Sequence, residues 1–247
     1  MAVENGLRRA LFNTYRNGQA RISSGALYED ITQVWPYYEQ NYRLFVSGVR
    51  YDARILEIGC GPGSLLAWLR SVGFSNLEGV DASPGDVEFA NHHLESDIVR
   101  CGDGQEHLMR YPNTFQVVIM KAVLDHIPKD KLLSFVGAIS RSLTQEGVAL
   151  IDVPNMDWIL GCHERYMDLT HEVGFTRESL ASLLGLEFGS VKIVGSVPGA
   201  LSRSQRLFRK PLIALIRRAL YVLGEGASDA LFESRSIIAV AINPRHR

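Results

Sequence analysis

The densest chemical signal is Glu57-Ile58-Gly59-Cys60-Gly61-Pro62-Gly63, set between the apolar stretch 55–58 and a helical pattern that starts at Ser64. Glycines at alternate positions let a backbone approach a ligand to contact distance, and the N-terminus of the following helix favours electron-rich groups. The spacing is G-x-G-x-G, not the G-x-G-x-x-G of dinucleotide sites, and Ser64 follows it, so no pyrophosphate cradle is spelled out. Asp81 closes the next apolar stretch, where a carboxylate can accept ribose hydroxyls. Gly102-Asp103-Gly104 closes the one after that, and its carboxylate can accept from the exocyclic amine of an adenine. A glycine loop and two strand-tip acids on one sheet edge describe an adenosine site without phosphates.

A second group of reactive side chains lies downstream. Lys121 ends a fourth apolar run, and Ala122-Val123-Leu124-Asp125-His126-Ile127-Pro128 follows it. His126 reads either as a residue of the active cleft or as a structural, cofactor-side residue. Further on, Arg165-Tyr166-Met167-Asp168-Leu169-Thr170-His171-Glu172 carries five ionisable residues among eight, a density that packing alone does not require. His171 near Asp168 has the makings of a general base with an orienting carboxylate. Arg165, with Tyr166 beside it, can grip an anionic or polyhydroxylated acceptor. The competing reading makes this stretch a hydrogen-bonded anchor before the helix that Thr176 caps.

These residues need a scaffold that brings several strand ends together. Short apolar runs at 55–58, 76–80, 97–101, 115–120 and 147–153 alternate with helical patterns at 64–72, 83–94 and 129–143. Ser83-Pro84 supplies an N-cap and a proline at the first helical position. Alternating strands and helices predict parallel pairing and a doubly wound α/β sheet. Runs at 191–197 and 236–242 add two strands, expected as an antiparallel addition that makes seven. Apolar and aromatic residues at helical spacing over 4–50 predict two or three N-terminal helices. The expected organisation is a helical cover over 1–50 and a core over 51–247, with inserts at about 156–175 and 198–232.

Length and composition agree with one elaborated fold. The 247 residues are 46% apolar and 21% charged, which excludes wholesale disorder. The net charge of −1 argues against a general nucleic-acid coat, and no nucleic-acid partner is expected. The charge is unevenly spread, however: residues 1–196 hold 17 basic and 24 acidic side chains, whereas 197–247 hold 9 and 3. Three scattered cysteines fit a reducing compartment rather than a disulfide framework. The first residues lack a basic segment followed by an apolar run, and no stretch approaches the ~20 apolar residues of a membrane span. A cytoplasmic location is the expectation.

Residues 54–154 resemble the class I S-adenosylmethionine-dependent methyltransferases, whose first motif reads acid-x-G-x-G-x-G. That resemblance implies a Rossmann-like seven-stranded sheet and S-adenosylmethionine as cofactor. It implies that Gly59, Cys60, Gly61 and Gly63 pack against the methionine part and that Glu57 buttresses the loop. Asp81 and Ala82 would take the ribose, Asp103 and Gly104 the adenine, and Lys121 joins the cofactor set. The fourth strand's tip lacks the Asn/Asp-Pro-Pro-Tyr tetrad of amide and exocyclic-amine methylases, and the Pro-Cys nucleophile of cytosine-C5 enzymes is absent. Asp125-His126 resembles the end of the Glu-x-x-Glu-His segment of ubiquinone-pathway O-methyltransferases, but Ala122 stands where the first acid belongs, so no metal set is assigned. The string from Arg165 to Thr176 is similar to that of methyltransferases of bacterial O-antigen, capsule and exopolysaccharide clusters. This implies O-methylation of a sugar hydroxyl on a surface glycan or its precursor. The alternative is a small-molecule or quinone-type O-methyltransferase.

The insert around 203–218 has six cations and no acid, interleaved with Leu207, Phe208, Leu212, Ile213, Leu215 and Ile216. Pro211 is expected to start a helix there. Three readings stand: a peripheral contact with an anionic membrane, a substrate lid, or a packed helix pair with a solvated arginine face.

Overall fold

The computed structural model describes residues 30–223 and 230–245, so the helical patterns expected before residue 30 lie outside the described residues. A short 3-10 turn (Ile31–Val34) leads into α1 (Trp35–Asn41) and α2 (Arg43–Val46). There follow β1 (Ile55–Ile58), α3 (Ser64–Ser71), β2 (Leu77–Asp81), α4 (Pro84–Leu94), β3 (Val99–Cys101) and α5 (Gly104–Arg110). The chain continues through β4 (Phe115–Lys121), α6 (Leu132–Ser142), β5 (Leu143–Pro154), α7 (Gly161–Tyr166), α8 (Arg177–Leu184), β6 (Phe188–Gly195), α9 (Arg203–Leu223) and β7 (Ser236–Pro244).

The seven strands form one sheet in the order β3-β2-β1-β4-β5-β7-β6. β1 pairs in parallel with β2 on one side and β4 on the other. This is where the strand order reverses, and the crevice outside such a switch point is where open α/β sheets bind ligands. The expected seven-stranded Rossmann-like fold is therefore present. The expected antiparallel addition reduces to a single reversed strand, β7, inserted between β5 and β6 and antiparallel to both.

The apolar runs read as strands because both faces of the sheet are covered. Leu56, Ile58, Val118 and Met120 point into one core with Phe135, Val136 and Ile139 of α6. Ile55, Val117 and Ile119 point into the other, with Leu65, Leu66, Trp68 and Leu69 of α3. Tyr38 and Tyr42 seal that second core from the N-terminal side. Ser83 caps α4, its side chain accepting from Asp86 N at 3.3 Å, with Pro84 at the first turn. Thr176 and Ser179 form a capping box that starts α8.

Two local expectations need correcting. Pro211 does not begin a helix; α9 starts at Arg203 and runs through it. The missing amide at Pro211 removes one intrahelical hydrogen bond, a cost borne here because the helix is already nucleated upstream. The helix expected over 129–143 is shorter, because β5 already begins at Leu143 and α6 spans Leu132–Ser142. None of the described helices is long and apolar enough to cross a membrane.

Glu78 on β2 ties the sheet to its neighbours. Its carboxylate lies 3.0 Å from His107 Nε2, 3.0 Å from Arg54 Nη2 and 3.5 Å from Arg100 Nε. His107 first, and then Arg54, holds this carboxyl down to about 2. A depressed folded-state value adds stability above the ordinary carboxylate range, and that stability disappears as pH falls from about 4.5 towards 2. Glu78→Gln is expected to cost about 1–2 kcal/mol at neutral pH and to flatten the acid-side loss. Thermal unfolding followed across that pH window checks it, and an unchanged acid limb would contradict it.

Candidate active site

The glycine loop is shaped by backbone geometry. Gly59, Gly61 and Gly63 all have positive φ, at 69°, 49° and 78°. Their amides face different partners. Gly59 N donates to Val80 O at 2.7 Å, whereas Gly61 N donates to Asp81 Oδ2 at 2.8 Å. The other oxygen of Asp81 accepts from Ser83 N at 2.8 Å. Asp81 thus clamps the loop to the start of α4 while each of its oxygens keeps a further lone pair for a hydroxyl donor. Burial raises its carboxyl above the usual value, against the pull of those two amides. Ala82 lies exposed beside it. Cys60 turns its thiol into the core, where burial pushes it well up, so only its backbone faces the loop.

Glu57, at the base of the loop, is 4% exposed, and its Oε2 has no hydrogen-bond partner. Burial drives its carboxyl well above the usual range, and Lys121 pulls the other way. The Lys121 ammonium lies 5.7 Å from the ring centre of Tyr37. Tyr37 and Tyr42 both donate to Asp152 Oδ2, at 2.7 and 2.8 Å, which fastens the N-terminal helices over the carboxyl end of β5. Burial next to that carboxylate holds both phenols protonated. Asp152 and these tyrosines had no motif to announce them.

Asp103 sits at the third strand end as expected, but its visible task is local. It N-caps α5, Oδ1 accepting from Glu106 N at 2.9 Å, and its side chain is exposed. Gly104 begins that helix against Ile58, whose Cγ2 would lie 2.6 Å from an added Cβ.

The histidine assignments change most. The carboxylate 3.3 Å from His171 Nε2 belongs to Asp125, not to Asp168. Asp168 Oδ1 instead accepts from Thr170 N at 2.8 Å and Thr170 Oγ1 at 2.7 Å. Thr170 Oγ1 in turn lies 2.8 Å from His126 Nδ1. Although burial pushes the Asp168 carboxyl up, the two Thr170 hydrogen bonds prevail and it ends below its usual value, hence ionised and an acceptor only. The hydroxyl therefore gives its proton to Asp168, which assigns the His126 proton to Nδ1. Nε2 then carries the lone pair.

That Nε2 faces Asp125 Oδ2 at 3.8 Å, and His171 Nε2 reaches the same oxygen at 3.3 Å. The two imidazole centres are 4.7 Å apart. Glu172 N and Val173 N bond to Asp125 O, at 2.8 and 3.1 Å, which brings the neighbouring His171 over the turn after β4. Neither carboxylate oxygen of Asp125 receives a well-formed hydrogen bond, although the group is 2% exposed. Burial raises the Asp125 carboxyl, against the pull of both imidazoles, and burial lowers His126. Asp125, His126 and His171 each offer a donor atom, all within 4.8 Å of one another. Two imidazoles and a carboxylate suit zinc, iron or manganese, a donor set that residue spacing did not predict.

Arg165 is tied into the same loop. Its guanidinium donates to His171 O at 2.6 Å and Glu172 O at 2.9 Å, and lies 5.2 Å over the Tyr166 ring. It shapes the His171 loop, and Tyr166 is its outer cover. Val123 joins the two halves of the site, because a Cβ on Gly59 would overlap its side chain.

A family profile described as "Methyltransferase domain" matches residues 34–189, more than half of the chain. The chain belongs to the methyltransferase-domain family. Its fold neighbours include a SAM-dependent methyltransferase from Archaeoglobus fulgidus, with a TM-score of 0.63 and 19% identity, covering 94% of this chain and 99% of the other. Methyltransferase-like protein 27 of Homo sapiens is 40% identical over 78 residues, 31% of this chain and 32% of the relative. A tRNA U34 carboxymethyltransferase of Aliarcobacter butzleri is 33% identical over 109 residues, 43% and 35%. A ubiquinone biosynthesis O-methyltransferase of Colwellia psychrerythraea is 30% identical over 101 residues, 37% and 41%. The chain thus spans about a third to two fifths of the length of these curated relatives.

The cofactor of this methyltransferase is S-adenosylmethionine, and the loop fits it. An added Cβ on Gly61 meets nothing within 4 Å, so that side of the loop is open to a ligand. The unpartnered Glu57 Oε2 at the loop's base adds an acceptor suited to a cation.

Proposed function

We propose that this methyltransferase is an O-methyltransferase that acts on a hydroxyl group, with His171 as the general base and Asp125 as its buried partner. The observation that carries this reading is the 3.3 Å approach of His171 Nε2 to a buried Asp125 carboxylate neither of whose oxygens has a hydrogen-bond partner. An amine acceptor can lose its proton to water after transfer, whereas a sugar hydroxyl holds its proton tightly and benefits from a positioned base. Glu57, Gly59, Gly61, Gly63, Asp81 and Lys121 are the residues proposed to hold the cofactor, with Asp103 at its outer end.

When bound, S-adenosylmethionine supplies an electrophilic methyl group on a sulfonium. His171 accepts the acceptor's hydroxyl proton as the oxygen bonds to the methyl carbon and the carbon–sulfur bond breaks, which leaves S-adenosylhomocysteine, the methyl ether and an imidazolium. Asp125 stabilises that imidazolium in a low-dielectric pocket. The Asp168–Thr170–His126 chain holds the second ring in place, and Arg165 holds the His171 backbone. Alignment and desolvation by these groups supply the remainder.

For the acceptor, the string 165–176 and its likeness to polysaccharide-cluster enzymes favour a sugar hydroxyl of a surface glycan or its lipid-linked precursor. Methyl transfer from labelled S-adenosylmethionine into host extract, split into glycan, lipid, small-molecule, RNA and protein fractions, tests this. Label in the glycan or glycolipid fraction supports it, and label confined to another fraction overturns it.

The second reading is a quinone-type O-methyltransferase with a divalent metal. It is favoured by the Asp125–His126–His171 donor set and by the ubiquinone-pathway relative. In it, Asp125, His126 and His171 would hold a divalent ion, which would supply Lewis-acid activation of the acceptor hydroxyl. Under the base reading, excess chelator is expected to leave turnover within about twofold. A loss of tenfold or more, restored by one divalent metal, would select the metal reading instead.

A further inference from the structure

We infer that α9 is a membrane-surface helix that docks this methyltransferase onto anionic lipid. Arg209 and Arg217 turn towards the body, donating to Glu233 O at 3.2 Å and Glu233 Oε1 at 2.7 Å. The outer side carries Phe208, Leu212, Leu215 and Val222, which are 64%, 55%, 65% and 78% exposed. At 100° per residue these four fall within an arc of about 80°. The remaining exposed side carries Arg203, Arg206, Lys210 and Arg218, with Leu207 and Tyr221 exposed among them, and α9 has no acidic residue.

An apolar arc bordered by a basic one is what an in-plane interfacial helix presents: aliphatic and aromatic groups enter the acyl boundary while cations meet lipid phosphates. The segments on either side of α7 add to the same surface chemistry. Ile159 and Leu160 stand exposed before it, and Leu169 after it on the loop that carries His171. The first of these segments shares an anchor with α9, because Ile159 N bonds to Phe232 O at 3.3 Å, one residue from Glu233.

Other occupants fit less well. A nucleic-acid backbone would use the cations and the Tyr221 ring beside them but leave Phe208, Leu212, Leu215 and Val222 in water. A second copy packed along the apolar arc would align two basic edges with no acid on either helix to offset them. An anionic bilayer uses both faces at once. This inference concerns where the protein sits and does not depend on the identity of the acceptor.

The test is sedimentation of the full chain with vesicles of equal phosphatidylcholine and phosphatidylglycerol, compared with phosphatidylcholine alone. Binding to the anionic vesicles is expected, about tenfold or more weaker on the neutral ones and weakened by salt. The double variant Leu212→Glu/Leu215→Glu is expected to lose tenfold or more of that binding and to retain cofactor affinity, which verifies its fold. Should that variant misfold, Phe208→Trp gives a second readout: a blue-shifted emission quenched by brominated acyl chains. Absence of pelleting overturns the inference, as does equal binding by the folded double variant. So does a concentration-dependent dimer that this variant abolishes, or retention on RNA with none on vesicles.

Discussion

His171→Ala is expected to lower kcat by about 10²–10⁴-fold while S-adenosylmethionine affinity stays within about threefold. The imidazole hangs from the 168–173 loop against Asp125, and no hydrogen bond joins its ring to the glycine loop or to Asp81. Losing it removes the proton acceptor and leaves those residues untouched. Asp125→Asn keeps the shape of the carboxylate but removes the charge that steadies the imidazolium, so a fall of similar order is expected. Added imidazole should restore part of the His171→Ala activity, more so as pH rises and the free base accumulates. Turnover by kinetics and cofactor affinity by calorimetry separate these effects. Full activity in His171→Ala would sink the base assignment, and a matching loss of cofactor binding would make the residue structural.

The same pair marks how far residue spacing reaches. The glycine run, Asp81 and the strand ends were legible because each is a local pattern: a short buried run, a turn that needs positive φ, and an acid at a strand tip. Asp103 was legible as a position, but its cap was overlooked, although Asp103-Gly104-Gln105-Glu106 carries the acid-x-x-acid spacing of a helix start. The partner of His171 was beyond reach. Asp168, three residues away, looked the natural choice, yet two loop amides bonded to Asp125 O decide the matter. Asp152 with Tyr37 and Tyr42 was equally silent, because the three meet across more than a hundred residues and only the folded sheet brings them together. The cations of α9 were counted in advance, but which of them face Glu233 and which face outward depends on how the helix lies on the 231–235 segment.

The glycine loop permits a sharper test, because two of its glycines should fail in different ways. Gly59→Ala places a methyl group inside Val123 at a backbone φ of 69°, which only glycine adopts freely. Strain of about 1–2 kcal/mol for the left-handed conformation adds to about 1–3 kcal/mol of overpacking. A stability loss of about 2–5 kcal/mol is therefore expected, with cofactor affinity falling as the loop shifts. Gly61→Ala shares the positive φ, at 49°, but its methyl group meets no atom within 4 Å. Only the conformational cost of about 1 kcal/mol should appear in unfolding. Its Cβ would instead occupy the open side that the cofactor needs, so affinity should fall about ten- to a hundredfold. Thermal unfolding with and without S-adenosylmethionine separates the two: Gly59→Ala melts early but still gains stability from cofactor, whereas Gly61→Ala melts near the parent and gains little. The reverse pattern would mean that the ligand approaches the loop over Gly59, on the side where Val123 now packs.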